Sequence, residues 1–583
     1  MRILAIHSGV HDSSAAAFND YELLAAVQQE RLIRHKGWGA EVPWLAIDEV
    51  LRTAGWIRTD VDAIAFVRGY FPTQYFRFPL INDLHYAWQR QFGRERTKRD
   101  IADLCRRFGI EDTLKFFRPD RFLADNGFRA DVPVRFVNHH EAHALAALFF
   151  TDWDDALIYT SDGVGDNVSY SMRALKEGKL ACFYGDDRWF LPPVPCAGLA
   201  YAYAFATEAC GFRRLRHEGK LTGLAAYGEA TLAPHLAGCF EFGKDGLITA
   251  PFKTWDEMGD RVKAICRGHP RETIAASIQK VVEDLTAQSV LYWLKQTGAR
   301  RLALAGGLFA NVRLNRLLAE TMPIDEIFIL PPMGDDGLSV GAGLAALLAR
   351  DGLASWLSKR RRLDNVYLGQ NYDDSIDACL AQSPAVRKHD GSPIEIATDM
   401  VRHGKAGAVY TGRMEFGPRA LGARSIIASP SDATINDTLN QRLERSEFMP
   451  FAPYVLEEDA ERVFEITPVN RYAARFMTIT CGVRPEWREC IPAVVHVDGT
   501  ARPQILRESE NPLFGGILRR FRDATGLPVL INTSFNVHEE PIVNRPQECR
   551  KALVDGRVDF VVTNRAVYTK VRPCTQNSLG LSA

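Results

Sequence analysis

Short apolar runs alternate with turn formers at the start of the chain. Arg2–Ile6, Ser13–Phe18 and Leu23–Gln28 each read as a strand, and Gly9, Asp12, Asn19 and Asp20 supply the turns between them. Leu45–Ala54 carries helical spacing instead. Further on, VRFVNHH predicts a strand entering the helix-like EAHALAALFF, and ALIYTSDGVGD predicts a strand that ends in an acidic, glycine-rich turn. RLALAGGLFAN and IDEIFILPPMGDDGLSVGAGLAALLA repeat this grammar of strand, glycine loop and small-residue helix. Such units predict an α/β architecture with ligands at the carboxyl ends of strands. Two stretches break the pattern. Trp88–Phe108, which includes RQFGRERTKRD, is polar and basic and reads as a solvated helical face. Asp351–Leu368 holds a basic run and no clear period, so the domain junction is expected there, dividing the chain into 1–360 and 361–583. The second α/β unit begins near Asn371, with strands expected at Gly407–Tyr410, Leu527–Ile531 and Val558–Thr563. There is no repeat at a solenoid period and no low-complexity tract.

Length agrees with this division, because 583 residues exceed what one hydrophobic core usually serves. Charge narrows the function. Lys and Arg number 71 against 72 Asp and Glu, and a dedicated nucleic-acid binder would carry a basic excess. The 11 cysteines are scattered from Cys105 to Cys574 without a CxxC pair, which reads as reduced thiols rather than a disulfide framework or zinc site. MRILAIHSG lacks the apolar length of a secretory signal, and no run of about 18 apolar residues predicts a membrane span. A cytoplasmic protein without membrane or nucleic-acid partners is expected. Oligomeric state is not legible.

His139 and His143 stand four apart in a predicted helix, so both rings leave one face and can chelate one metal ion. Such a pair alone is more often packing. Asp162 and Asp335, each just past a strand, strengthen it by offering carboxylates. Two histidines with carboxylates suit Fe(II), Mn(II) or Zn(II) alike. Gly306, Gly307 and Asn311 form a glycine pair opening a helix, where backbone N–H groups can approach phosphate. A tight strand-to-helix turn would look the same. Lys220, in HEGKLTGLAAYG, is a further phosphate candidate. In GRMEFGPRALGARS, Arg413, Arg419 and Arg424 surround Gly417, Pro418 and Gly422, and guanidiniums on a glycine-rich loop suit a dianionic phosphate. HVDGTARPQ adds His496, Asp498 and Arg502, and LINTSFN ends a strand in Asn532, Thr533 and Ser534.

HDSSAAA, HHEAHA, SDGVGD, GKLTGLAAYG, AGGLFAN, GDDGLSVGA, EFGPRALGARS, PFAPYVL, HVDGTARPQ and NTSFN, in that order, resemble the successive motifs of the NodU/CmcH O-carbamoyltransferases. The resemblance spans essentially the whole chain. It implies an N-terminal actin/hexokinase-like, duplicated α/β domain, like that of the tRNA threonylcarbamoyl-transfer enzymes, and a C-terminal YrdC-like α/β domain. It implies that the second domain turns carbamoyl phosphate and ATP, with Mg, into carbamoyl-adenylate, and that the first transfers the carbamoyl group to a small-molecule hydroxyl. By the same resemblance, His139, His143, Asp162 and Asp335 match ligands of a metal, Fe(II) foremost. Gly306, Gly307 and Asn311 match a nucleotide loop, and His11 a catalytic histidine. Arg419, Arg424, Arg502 and Ser534 match the carbamoyl phosphate and adenylation site. One segment departs: many members carry a Lys and an Arg just before PFAP, where RLERSEFMPFAP has Leu443 and Met449, leaving Arg442 or Arg445 to substitute. Acceptor contacts are expected within Tyr70–Phe128, which holds no family motif. An RNA-modifying transferase, and a non-catalytic nucleotide-binding protein, are the alternatives. The neutral charge opposes the first and the intact His, Asp and Arg set opposes the second.

Overall fold

Two five-stranded sheets with the same strand order carry the N-terminal part of the protein, for which a computed structural model describes residues 1–39, 42–77, 98–445 and 449–571 of the chain. The first sheet runs Glu22–Gln28, Ser14–Asn19, Arg2–His7, Ala63–Val67, Val134–Val137. The second runs Lys179–Tyr184, Val168–Lys176, Ala156–Gly165, Arg301–Ala305, Glu326–Ile329. In each, three strands form an antiparallel meander and two more join in parallel. This repeated order is the duplicated sheet of an actin/hexokinase-like fold.

Two helices hold the sheets together. Leu338–Leu357 packs on the first sheet, His139–Phe149 packs on the second, and the helices pack on each other. Small residues permit the close approach: Gly341 lies against the Ala142 carbonyl, and Ala5, Ala16, Ala142, Ala146 and Ala303 fill the seam. Leu145, Leu344 and Leu347 are buried there, each contributing about 1.5–3 kcal/mol. Both helices therefore start at the carboxyl ends of strands and aim their first turns at one place. The stretch Asp335–Leu357 is long and apolar enough to cross a membrane by length and composition, but it serves here as this core helix. It is interrupted beside Asp351, where Gly352 takes a non-helical φ 76, and after this kink the buried Trp356 donates its indole N–H back to the Leu344 carbonyl.

The C-terminal part is built on an eight-stranded sheet in the order Val386–His389, Val567–Lys570, Phe560–Val562, Gly407–Tyr410, Arg424–Ala428, Val529–Ser534, Ala452–Leu456, Gln504–Leu506. Gly407–Tyr410 matches the sequence reading. The strand expected at Leu527–Ile531 starts later, at Val529, because Gly526 caps the preceding helix in the left-handed region and Pro528 has no N–H for the ladder. Its register places Ser534 opposite Ser425 and Thr533 opposite Ile426. Of the polar stretch Trp88–Phe108, positions up to 97 lie outside the described residues, and Ile101–Phe108 is a helix. The ten described cysteines are free thiols.

Candidate active site

Asn138 caps the helix His139–Phe149, its side-chain oxygen accepting from the Glu141 N–H, and so starts the helix one residue before His139. His139 and His143 then project from one face, both buried. Asp162 comes from the strand Ala156–Gly165 and Asp335 from the loop that leads into Leu338–Leu357. His143 Nε2 stands 3.1 Å from Asp162 and 3.7 Å from Asp335, and His139 Nε2 stands 3.5 Å from Asp335 and 3.9 Å from Asp162. Four potential ligand atoms thus lie within 4.8 Å of one another. His139 Nε2 and Asp335 Oδ1 are buried without a hydrogen-bond partner. Unpartnered lone pairs converging on one point, an unprotonated His139 Nε2 among them, are what a metal ion satisfies, so the residues fit one.

The charges are strongly coupled. Burial works against ionising Asp162, yet His139 and His143 hold its carboxyl well below the usual range. Burial lowers the basicity of His143, and Asp162 and Asp335 more than reverse that, raising it to about 9. His11 is likewise disfavoured as a cation by burial but raised to about 10 by Asp12, 2.8 Å away, and by Asp335. His140 does not join the cluster; it bonds Thr160 Oγ1 and the Val168 carbonyl in the core.

His7, Asp166 and Arg68 were not singled out by the sequence reading. His7 is buried 3.8 Å from Asp335, has no partner on either ring nitrogen, and is pushed down to about 4 by burial. Its spacing of four from His11 was the available signal. Asp166 accepts from the His139 N–H at 2.8 Å and pairs with Arg68 at 2.9 Å, while Arg68 also pairs with Asp187, which accepts from Asn138. These contacts fix the first turn of the helix that carries His139 and His143.

The glycine pair adjoins this cluster. Gly306 has φ 102, and a side chain there would collide with Ser161. That approach lets the Gly307 N–H reach Asp162 Oδ2 at 3.1 Å. Asn311 caps the helix Val312–Thr321 and exchanges hydrogen bonds with Gln279. Lys220 is buried in the helix Glu218–Leu224.

The C-terminal candidates divide. Arg413 donates to the carbonyls of Gly369, Leu368 and Leu24, tying the C-terminal part to the N-terminal sheet. Arg424 is fully buried, stacks 3.8 Å over Tyr410, and donates to the Thr411, Gly412 and Ala423 carbonyls. Asn532 donates to the Ala420 carbonyl and to Gln504. Arg419 stays half-buried on the glycine-rich loop. Arg502 lines a cleft with Thr222, Arg313, Met449, His496 and Asp498, in which burial opposes the Asp498 charge but His496 and Thr500 hold its carboxyl well below the usual range. In the departing segment, Leu443 is core, Met449 packs on Gly223 and Arg442 pairs with Asp559. Arg445 donates to Thr533 Oγ1 at 2.9 Å and to Ser534 Oγ at 3.1 Å. Ser446, Glu447 and Phe448 lie outside the described residues.

Comparison with known proteins settles the family. Residues 2–344 match the model of the carbamoyltransferase N-terminus and residues 398–570 that of the carbamoyltransferase C-terminus. The chain belongs to the carbamoyltransferase family. It is an enzyme of the NodU/CmcH O-carbamoyltransferase type, transferring a carbamoyl group with the use of carbamoyl phosphate and ATP. This carbamoyltransferase is 32% identical to the nodulation protein NolNO of Sinorhizobium fredii, over 96% of this chain and 79% of that one. It is 30% identical to an uncharacterised protein of Synechocystis over 97% and 96% of the two chains. Among solved structures, a ROK family glucokinase from Streptomyces griseus matches 59% of this chain and 99% of its own, at 12% identity and a TM-score of 0.30. The fold assignment rests instead on the repeated strand order.

Proposed function

We propose that the carbamoyltransferase works in two places, activating its donor in residues 361–583, a YrdC-like domain, and transferring the carbamoyl group at the metal cluster in residues 1–360. The observation that carries this reading is the buried convergence of His139, His143, Asp162 and Asp335, with orphaned atoms, beside the glycine turn at Gly306 and Gly307. In the first half-reaction water takes the phosphoryl group of carbamoyl phosphate, releasing phosphate and carbamate, and a carbamate oxygen attacks the α-phosphorus of MgATP, giving carbamoyl-adenylate as the bond to pyrophosphate breaks. In the second, the acceptor hydroxyl oxygen bonds to the carbamoyl carbon and the bond to AMP breaks. A metal in the cluster, Fe(II) by family resemblance, supplies Lewis-acid polarisation of an oxygen.

The chain's own residues have separable tasks. Gly306 and Gly307 hold the strand-to-helix turn against the cluster, the Gly306 N–H donating to the Met333 carbonyl and the Gly307 N–H to Asp162. His11 is the candidate acceptor of the hydroxyl proton; as a base it has to be neutral, against the pull of Asp12 at 2.8 Å and, more weakly, of Asp335 at 3.9 Å. Arg419, Arg502, Thr533 and Ser534 bind the donor, and Arg445 stands in for the missing family cation because it alone of the two candidates reaches Thr533 and Ser534. Arg413 and Arg424 shape the site by holding its loops. The acceptor is a small-molecule hydroxyl. Incubating the protein with carbamoyl phosphate, MgATP and anaerobic Fe(II) tests the reading: carbamoyl-adenylate should appear by mass spectrometry with equimolar pyrophosphate. Its absence from folded, ATP-binding protein would refute donor activation by this route.

A further inference from the structure

Arg31 lies where the N-terminal sheet meets the glycine-rich loop, and its side chain is 1% exposed. Its Nη2 donates to the Gly417 carbonyl at 2.6 Å. Its Nε donates to Gln28 at 3.0 Å and faces Glu30 at 3.2 Å. Gln28 in turn donates to Asp336 at 2.8 Å, the neighbour of the metal-cluster residue Asp335. Gly417 has φ 122, and a side chain there would touch Pro332 at 3.4 Å, so the donor loop and the loop bearing Asp335 are themselves in contact. Arg31 is thus held rigidly between the two places where the chemistry is divided.

One of its donors is left over. Nη1 is buried with no hydrogen-bond partner. An unsatisfied buried donor is destabilising, more so when charged, and a guanidinium does not shed its proton to escape that cost. Nη1 shares its carbon with Nη2, which is already on Gly417, so the orphan N–H sits beside the donor loop. Nearby Arg34 is different: its Nη1 and Nη2 go to the Ile542 and Pro541 carbonyls, a plain tether between the two parts.

We propose that Arg31 is a donor-contacting residue, the N-terminal part's contribution to the carbamoyl phosphate site, with Nη1 donating to a phosphate or carbamoyl oxygen of that donor. The proposal rests on the reading that carbamoyl phosphate binds at the glycine-rich loop. It explains why a fixed, charged donor is left unsatisfied here: the oxygen that satisfies it arrives with the substrate. It also makes the donor site incomplete without the N-terminal part of the chain.

Carbamoyl phosphate-dependent exchange of pyrophosphate with ATP tests it without an acceptor. Arg31→Lys keeps the charge and loses the fork, and should raise KM for carbamoyl phosphate about tenfold or more while KM for ATP stays within about twofold. Arg31→Gln should be worse, with added guanidinium restoring part of the loss. Arg34→Gln is the control and should leave both constants within about twofold. An unchanged KM for carbamoyl phosphate in folded Arg31→Lys overturns the proposal, as do equal rises in both constants with a lowered Tm. If the parent protein shows no exchange, the activation reading fails, and calorimetric titration with carbamoyl phosphate decides Arg31: tenfold weaker binding by Arg31→Lys supports it, equal binding refutes it.

Discussion

The candidate metal cluster and the proposed donor site are both built from polar residues on strand ends and glycine-rich turns, yet they relate to their sequences differently. At the cluster, the four residues read from spacing and position arrive within 4.8 Å of one another. At the donor site, three arginines close in sequence point to different fates: Arg413 and Arg424 are spent on backbone carbonyls, and Arg419 stays on the loop. Side-chain reach explains the contrast. A histidine or aspartate ring or carboxylate stays near its own backbone, so helix periodicity and strand ends locate it. An arginine head can lie far along its stem and can satisfy the turn that carries it, so clustering in sequence does not place the charge.

The largest effect should come from the cluster. His143→Ala or Asp162→Ala should lower metal affinity at least about a hundredfold and abolish carbamoyl transfer, measured by metal titration and by product formation once an acceptor is found. Retained stoichiometric metal in either variant would erase the contrast, since the cluster would then be ordinary packing. Next, Arg424→Met should cost about 3–5 kcal/mol of stability, because it deletes a buried cation that holds three carbonyls; a denaturant midpoint checks this. If Arg424→Met instead leaves stability intact and removes donor binding, Arg424 belongs with the ligands and the structural role given to it here fails. Arg445→Ala should raise KM for carbamoyl phosphate about tenfold, because Thr533 and Ser534 lose the cation that orients them, with a smaller loss of stability than Arg424→Met, because the half-buried Arg445 also donates to the Ser534 and Asn536 carbonyls. The smallest effect concerns the support of the helix that carries His139 and His143. Asp166→Asn keeps an acceptor for the His139 N–H but weakens the pair with Arg68, and should weaken metal binding about tenfold without changing the donor half-reaction.

Much of the N-terminal part was legible because its elements are long and their patterns regular. The strand Arg2–His7, the helix after Asn138 and the acidic turn at Asp335 follow from periodicity and turn chemistry, whereas Asp162, expected just past a strand, lies within the strand Ala156–Gly165, which runs on through an irregular stretch. The duplication was not visible as a repeat, since the two sheets share strand order and pairing sense but differ in sequence, and only the family resemblance implied it. His7 escaped notice because a buried histidine in a strand looks like core, and its meaning depends on Asp335 more than 300 residues away. In the C-terminal part, Arg445 could be named only as one of two candidates. The choice needed the third dimension, where Arg442 turns to Asp559 and Arg445 to Thr533.

The claim that donor activation and transfer occupy separate sites is tested most directly by assaying carbamoyl-adenylate in metal-free His143→Ala protein, given carbamoyl phosphate and MgATP and no acceptor. The account predicts adenylate at the parent's rate from a variant that binds no metal. Loss of adenylate together with the metal, in protein that remains folded, would contradict it and place both steps at the cluster.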